Sequence, residues 1–309
     1  MKIIILLAMV SVAFSKSLTV SILPQKYFVE QIAGDNFEVN VMVKPGSSPE
    51  TYEPTPKQMI ELSKSHAFLA IDVPFEKIWL PKISENYPDL KIFDTSKGVQ
   101  KRSIEHFESI IEVEEDVHHD CENCDHEHEE NHHELDNHEH HEGHNHGGEN
   151  DPHIWLAPEM IKIQAENIKE ALISIDPSKK EFYIENTIKF KAKLDELSKI
   201  VSGVLTQSNV KSFMVFHPSW GYFADQFKIK QIPVEVEGKS PSPGQLKEII
   251  DLAKKKEIKI VFVQPQFDKR SAETIAKSIN GKVLPLNPLE ENLYDNLLDA
   301  ANKIAGSMK

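Results

Sequence analysis

A stretch of about thirty residues without proline separates two similar halves of this chain, and it limits the folds that the chain can adopt. Residues 178–207 are rich in Lys, Glu, Leu and Ile, and their one glycine, Gly203, comes late. This composition predicts a single helix of about 30 residues, which is about 45 Å long. Its apolar residues do not keep a strict heptad, which argues against a coiled coil. We therefore predict a helix that connects two domains.

Short apolar runs alternate with helical patterns on both sides of this stretch. The predicted strands are Leu18–Leu23, Val39–Val43, Ala67–Ile71, Lys91–Phe93, Phe213–Phe216, Ile232–Val236, Ile258–Val263 and Val283–Leu286. Two predicted helices cover 58–63 and 75–83, and a third begins at Pro158 and stops before Asp176. Three more helices are predicted to begin near Pro243, Lys269 and Glu291. This alternation is typical of βαβ units.

Strands that alternate with helices in this way form a mostly parallel sheet covered on both faces. We therefore predict the α/β class, with two domains that each contain such a sheet flanked by helices. The N-terminal domain is predicted over residues 16–177, the linking helix over 178–208 and the C-terminal domain over 209–309. Ligand sites in such sheets lie at the carboxyl ends of the strands.

The first fifteen residues have the features of a secretory signal peptide. Lys2 precedes an apolar run over residues 3–14, which is too short to span a bilayer. Ala13 and Ser15 stand at the two small-residue positions of a cleavage site, and no cysteine follows for lipid attachment. We predict cleavage near Ser15 and export to the periplasm. No later segment reaches the about 18 apolar residues of a membrane span.

An acidic, histidine-rich insert is predicted at residues 112–150. The chain has a formal charge of −14, but Glu112–Asp151 holds sixteen acidic residues and no Lys or Arg, so the remainder has a charge of +2. A nearly neutral body offers no basic face, so nucleic acid is not an expected partner. Between His118 and His146 there are eleven histidines among twenty-nine residues. Such a segment cannot bury enough apolar surface to fold alone.

The composition of the insert favours one class of metal. Imidazole suits zinc, copper and nickel, whereas manganese and magnesium prefer oxygen; a solvated charge run is the alternative. Cys121 and Cys124, the two cysteines of the chain, either bind metal with neighbouring histidines or oxidise to a disulfide. His128, Glu129 and His132 match the protease signature H-E-x-x-H, but a tract so rich in both residues produces this match by chance.

Three short motifs outside the insert carry the most specific signal. They are Pro45–Pro56 (PGSSPETYEPTP), Asp151–Leu156 (DPHIWL) and Phe216–Phe223 (FHPSWGYF). In this order, with a long helix between the second and the third, they resemble the motifs of the zinc and manganese substrate-binding proteins of ABC importers. The resemblance covers nearly the whole mature chain, and the His-rich insert before the second motif is similar to that of the zinc branch.

The resemblance implies a set of metal ligands. It makes His153 and His217 ligands and places Glu50 where most of the family has its first histidine. A carboxylate is an acceptable zinc ligand, although it makes a site less selective against manganese. Asn287 stands where many relatives have an aspartate ligand, so we predict that water or Asn287 completes four-coordination. Glu53 is a further candidate.

Other histidines and aromatic residues have more ordinary expected roles. His66 and His106 are interpreted as polar residues with satisfied hydrogen bonds. Trp155, Trp220 and Tyr222 are expected to pack around the metal site and limit the access of water.

The resemblance implies that the protein captures zinc in the periplasm and delivers it to the permease and ATPase of an ABC importer. We expect a monomer, modest movements on binding, and zinc affinity that falls as the pH approaches the imidazole pKa. A manganese- or iron-binding subunit of the same importer family and a His-rich zinc buffer are the alternatives. An enzyme with a three-ligand zinc would need a general base, and none is assigned, so we predict no catalytic residue and no enzyme activity.

Overall fold

The computed structural model describes residues 16–107, 150–236 and 238–307. The predicted signal peptide and residues 112–149 of the predicted insert lie outside the described residues. The chain divides into two compact units. Unit 1 comprises Met1–Val99, Pro158–Lys199 and Leu289–Asn296, and unit 2 comprises Gln100–Ala157, Ile200–Pro288 and Leu297–Lys309. The domain boundaries predicted from the sequence stay a prediction.

Unit 1 contains a four-stranded parallel sheet with the strand order β2-β1-β3-β4. The strands are β1 (Lys16–Val20), β2 (Phe37–Val41), β3 (Ala67–Ala70) and β4 (Lys91–Asp94). All four residues of β3 are buried, and Leu18 of β1 pairs with both Val39 and Ala67. Burial on both faces explains why β3 is an apolar run without a polar alternation.

Four helices of the described residues lie wholly in unit 1, and three of them begin with proline. They are α1 (Leu23–Ala33), α2 (Pro56–Leu62), α3 (Pro74–Asn86) and α4 (Pro158–Ile175). Proline suits the first helical position because its missing N–H would have no partner within the helix. The Thr55 hydroxyl caps α2 by accepting a hydrogen bond from the Gln58 N–H over 3.4 Å. Local sequence signals therefore determine where α2, α3 and α4 start.

Unit 2 repeats the arrangement with a parallel sheet in the order β6-β5-β7-β8. Its strands are β5 (Ser212–Val215), β6 (Lys230–Pro233), β7 (Ile260–Val263) and β8 (Lys282–Pro285). The described residues of this unit also form α6 (Gly221–Phe227), α7 (Pro243–Lys255) and α8 (Arg270–Ser278). The sheet and α7 and α8 enclose an apolar core that includes Met214, Ile232, Ile249, Val261 and Ile275. The strand order reverses between β5 and β7, which is where ligands bind in sheets of this kind.

A long helix connects the two units. Helix α5 (Lys180–Ser208) has 29 residues, of which those up to Lys199 belong to unit 1 and the rest to unit 2. The last helix, α9 (Leu293–Gly306), is likewise shared by both units. The predicted fold class, two parallel α/β sheets flanked by helices and joined by one long helix, is confirmed. Among the described residues, no helix combines the length and the apolar character that crossing a membrane requires.

Unit 1 buries a carboxylate beside the carboxyl ends of β1 and β3. Glu76 accepts hydrogen bonds from the backbone N–H groups of Ile71 (3.0 Å) and Asp72 (2.8 Å) and from the hydroxyl of Ser21. Burial raises the pKa of Glu76 to about 7, although these three hydrogen bonds favour the ionised carboxylate. Glu76 therefore changes its charge near neutral pH.

We expect Glu76 to make the protein less stable as the pH rises through neutrality. Its pKa in the folded state, about 7, lies above the ordinary value of 4.5, so the folded protein binds more protons between these values. This contribution is fully present below about pH 4.5 and is lost as the pH rises through about 7; it amounts to about 3 kcal/mol. Glu76→Gln does not titrate. The difference in free energy of unfolding between wild type and variant, measured with urea, should change by this amount over the window.

Glu181→Gln is the matched control, because it removes an exposed carboxylate from α5 in the same unit. The difference in free energy of unfolding between Glu181→Gln and wild type should stay constant over this pH range. If the difference in free energy of unfolding between Glu76→Gln and wild type were also constant, Glu76 would not be the group that titrates near pH 7.

Candidate metal centre

His153 lies in a tight turn that its neighbour Asp151 closes. Oδ1 of Asp151 accepts hydrogen bonds from the backbone N–H of His153 (3.0 Å) and from its Nδ1 (2.8 Å). Aspartate stabilises such turns because its short side chain reaches the N–H two residues on. Both side chains are buried. Since the carboxylate can only accept, the Nδ1 atom carries the proton and Nε2 has a lone pair for a metal.

His217 follows β5 at the point of unit 2 where the strand order reverses. Its Nδ1 donates a hydrogen bond to Oε1 of Glu235 over 2.7 Å, and both side chains are buried. The side chain of Gln264, which follows β7, accepts from the His217 backbone N–H (3.3 Å) and donates to its carbonyl (2.6 Å). The ring of Phe267 stacks on the imidazole with centroids 4.7 Å apart. These contacts hold His217 in one orientation.

The two imidazoles bring their Nε2 atoms to 3.4 Å from each other. Because each Nδ1 proton is directed to a carboxylate, the neutral tautomer of each ring has its lone pair on Nε2, so His153 and His217 offer two donor atoms to one ion. Two nitrogens that each lie about 2.05 Å from a tetrahedral ion are about 3.3 Å apart, so this spacing suits a cation of the size of zinc. The pair is a candidate metal centre within unit 2.

An arginine supports the carboxylate behind His153. The Arg102 guanidinium lies 3.0 Å from Oδ2 of Asp151, 3.0 Å from Glu105 Oε1 and 2.8 Å from Asp225 Oδ2. Burial of Asp151 opposes its ionisation, but the hydrogen bond from His153 and the charge of Arg102 outweigh it and lower the pKa of Asp151. The Asp151 carboxylate is therefore ionised and fixed at both oxygens.

Aromatic residues surround this network. The indole of Trp155 has its ring centroid 5.2 Å from that of His153 and donates a hydrogen bond to the Pro288 carbonyl over 2.7 Å. The hydroxyl of Tyr222 donates to the Asp151 carbonyl (3.1 Å) and accepts from the Arg102 N–H (3.2 Å). Burial raises the pKa of Tyr222 to about 12, so it remains a neutral phenol. Trp155 and Tyr222 contact the two ends of the Asp151–His153 turn.

The other predicted ligands come from other segments of the chain. Glu50 belongs to unit 1, on the loop after β2, where it is half-buried and its N–H donates to the Ser48 hydroxyl (3.2 Å). Asn287 follows β8 in unit 2, and its Oδ1 accepts a hydrogen bond from Gln266 (3.4 Å). Glu53 is exposed. The structure thus brings His153 and His217 together within one unit, and the participation of Glu50, Asn287 and Glu53 stays a prediction.

Sequence reasoning did not assign roles to Arg102, Asp151, Glu235 or Gln264. Asp151 stands in the motif of His153, so its spacing of two residues was an available signal. Glu235 and Gln264 each follow a strand, at the sheet edge where ligand-binding residues collect. Arg102 has no signal in the chain order.

The family of the chain follows from comparison with known proteins. The model of the family described as ZnuA, zinc-uptake complex component A periplasmic, matches residues 18–306. The chain belongs to this family. The match includes both histidines of the candidate metal centre and all eight strands except the first two residues of β1.

Individual known proteins are similar over most of this chain. The high-affinity zinc uptake system protein ZnuA of Bacillus subtilis is 27% identical over 86% of this chain and 76% of its own length. The zinc-binding protein AdcA of Streptococcus pyogenes is 28% identical over 94% of this chain, which spans only 56% of AdcA. A crystal structure of ZnuA is 34% identical with a TM-score of 0.80, covering 96% of this chain and 100% of that one. A zinc-bound deletion mutant of ZnuA has a TM-score of 0.79 and 34% identity, covering 95% and 98% of the two chains.

Proposed function

We propose that this protein binds zinc outside the cytoplasm and delivers it to the membrane permease of an ABC importer. The observation that carries the proposal is the pair of buried imidazoles, His153 and His217, whose Nε2 atoms lie 3.4 Å apart and whose Nδ1 atoms each donate to a carboxylate. This arrangement suits a divalent ion that is bound as cargo. The family match and the zinc-binding relatives support zinc as that ion.

The proposed zinc ligands are His153, His217 and Glu50, with water or Asn287 in the fourth position and Glu53 as its alternative. Two neutral imidazoles and one carboxylate form a common zinc ligand set. The carboxylates behind the two histidines increase the basicity of the Nε2 atoms and fix the tautomers. These effects favour a nitrogen-preferring ion over manganese, which remains the alternative cargo.

The wider setting of the protein is also a proposal. We propose export to the periplasm after cleavage of a signal peptide near Ser15, action as a monomer, and docking on the permease of an importer driven by an ATPase. The His-rich insert at 112–150 is proposed to collect zinc near His153, which stands just after it in the chain. Binding and release of the ion, without catalysis, account for every role assigned above.

Uptake by cells tests the proposal directly. Cells that lack this protein and grow with a zinc chelator should accumulate less zinc, and the wild-type gene should restore accumulation, whereas a His153→Ala, His217→Ala double variant should not. Added manganese should not compete at equal concentration, because the site contains two imidazoles. Equal zinc accumulation with and without the protein would refute the importer role, and loss of manganese accumulation alone would assign the alternative cargo.

A further inference from the structure

The two proposed ligand histidines are supported by carboxylates with very different surroundings. Asp151, behind His153, has its second oxygen 3.0 Å from the Arg102 guanidinium. Glu235, behind His217, is also buried, but its Oε2 has no hydrogen-bond partner among the described residues. Among the described residues, no lysine or arginine forms an ion pair with Glu235 within 4.0 Å. One carboxylate is therefore compensated by a permanent cation, and the other is not.

A buried carboxylate without a cation destabilises the folded state, because it has lost its hydration without gaining an opposite charge. The hydrogen bond from His217 Nδ1 satisfies only Oε1 of Glu235. A divalent ion on Nε2 of His217 would lie about 6 Å from this carboxylate, at the other side of the ring. In a site of low dielectric constant, an attraction over this distance is strong.

We infer that Glu235 is a positioning residue whose negative charge has no compensating cation in the metal-free protein and is compensated by the bound ion. This inference rests on the proposed function. Glu235 orients His217 through Nδ1 and supplies the negative charge that Arg102 neutralises in the other pair. Glu235 thus lowers the stability of the metal-free protein and increases its zinc affinity. Asp151 orients His153 without lowering that stability.

The test compares Glu235→Gln with Asp151→Asn in the full mature chain. The zinc Kd is measured by chelator competition at about pH 8, well above the ordinary imidazole pKa. The melting temperature of the metal-free protein is measured in excess chelator. The His217→Ala variant reports zinc bound elsewhere on the chain, and this amount is subtracted.

Glu235→Gln should weaken zinc binding by about 10- to 100-fold and raise the melting temperature of the metal-free protein by about 2 to 4 °C. Asp151→Asn should also weaken zinc binding but lower the melting temperature, because Arg102 loses a carboxylate partner. Glu235→Asp keeps the charge, so it should weaken zinc binding without raising the melting temperature. Asp299→Asn removes an exposed carboxylate of α9 and should change neither quantity.

A Glu235→Gln protein that melts at a lower temperature, or fails to fold, would overturn the inference, because both outcomes indicate a purely stabilising role. Unchanged zinc affinity in Glu235→Gln, with His217-dependent binding intact in wild type, would also overturn it while leaving the proposed function standing. Absence of His217-dependent zinc binding in wild type would instead remove the proposed function, and the inference with it.

Discussion

Replacing His217 with alanine is expected to weaken zinc binding by about 100- to 1,000-fold. Structural zinc sites with four ligands bind with about 10–16 kcal/mol, so one ligand contributes about 3–4 kcal/mol, and each 1.4 kcal/mol is a factor of ten in affinity. The variant also leaves the buried Glu235 carboxylate without its hydrogen-bond donor. The zinc Kd should be measured by chelator competition on metal-stripped protein that lacks residues 118–146, so that the histidines of the insert do not contribute.

His66→Ala is the matched control. His66 is exposed, and its Nδ1 accepts a hydrogen bond from the Ser17 N–H over 3.2 Å within unit 1. This variant should bind zinc like wild type. If His217→Ala kept wild-type affinity in the shortened protein, the paired imidazoles would not be the binding site. If shortening alone abolished tight binding, the function would be that of a His-rich zinc buffer.

Replacing Gly221 with alanine is expected to destabilise the protein by about 3 kcal/mol and to weaken zinc binding about tenfold. A β-carbon on Gly221, at the start of α6, would overlap the Arg102 guanidinium and lie 2.7 Å from Oδ2 of Asp151. Arg102 would have to leave its place between three carboxylates. Asp151 would then lose the partner that fixes it behind His153. Urea denaturation and the zinc Kd measure the two effects.

Gly203→Ala is the control for a glycine on a helix with free space around it. An added carbon there has nothing within 4 Å, so the variant should be more stable than wild type by about 0.5–1 kcal/mol. Combining Gly221→Ala with Arg102→Ala removes the overlapping group. The losses in free energy of unfolding caused by the two substitutions should therefore be less than additive. Fully additive losses, or a Gly221→Ala protein as stable as wild type, would show that the close approach to Arg102 has no energetic consequence.

The elements of the fold were predictable where their signals are local. The predicted strands at 67–71, 91–93 and 258–263 correspond to β3, β4 and β7 to within two residues, because each contains a short apolar run. The long helix was predictable from its composition, and α5 differs from the prediction mainly at its first residues. Helix α1 was not predicted: Leu23 was taken as the end of a strand, although Pro24 is a helix-start signal directly after it.

The candidate site was predictable only as a set of motifs. The segments around His153 and His217 indicate metal ligands because each carries an unusual local pattern of histidine, proline and tryptophan. That the two histidines approach to 3.4 Å, although 64 positions apart in the chain, depends on how unit 2 folds. Likewise, no feature of the sequence indicates that Gln100–Ala157 belongs to the same unit as the second sheet.

The sequence by itself determined the α/β class, the long connecting helix, the histidine pair and the metal-binding family, since periodicity, composition and short motifs are properties of neighbouring residues. Only the tertiary structure decided which groups support those histidines. Glu235 is 18 positions from His217 and Gln264 is 47 positions away, and they reach it because β5, β6 and β7 lie side by side. Arg102 meets Asp151 across 49 positions. A hydrogen bond or an ion pair requires contact in space, and the order of residues along the chain does not specify that contact.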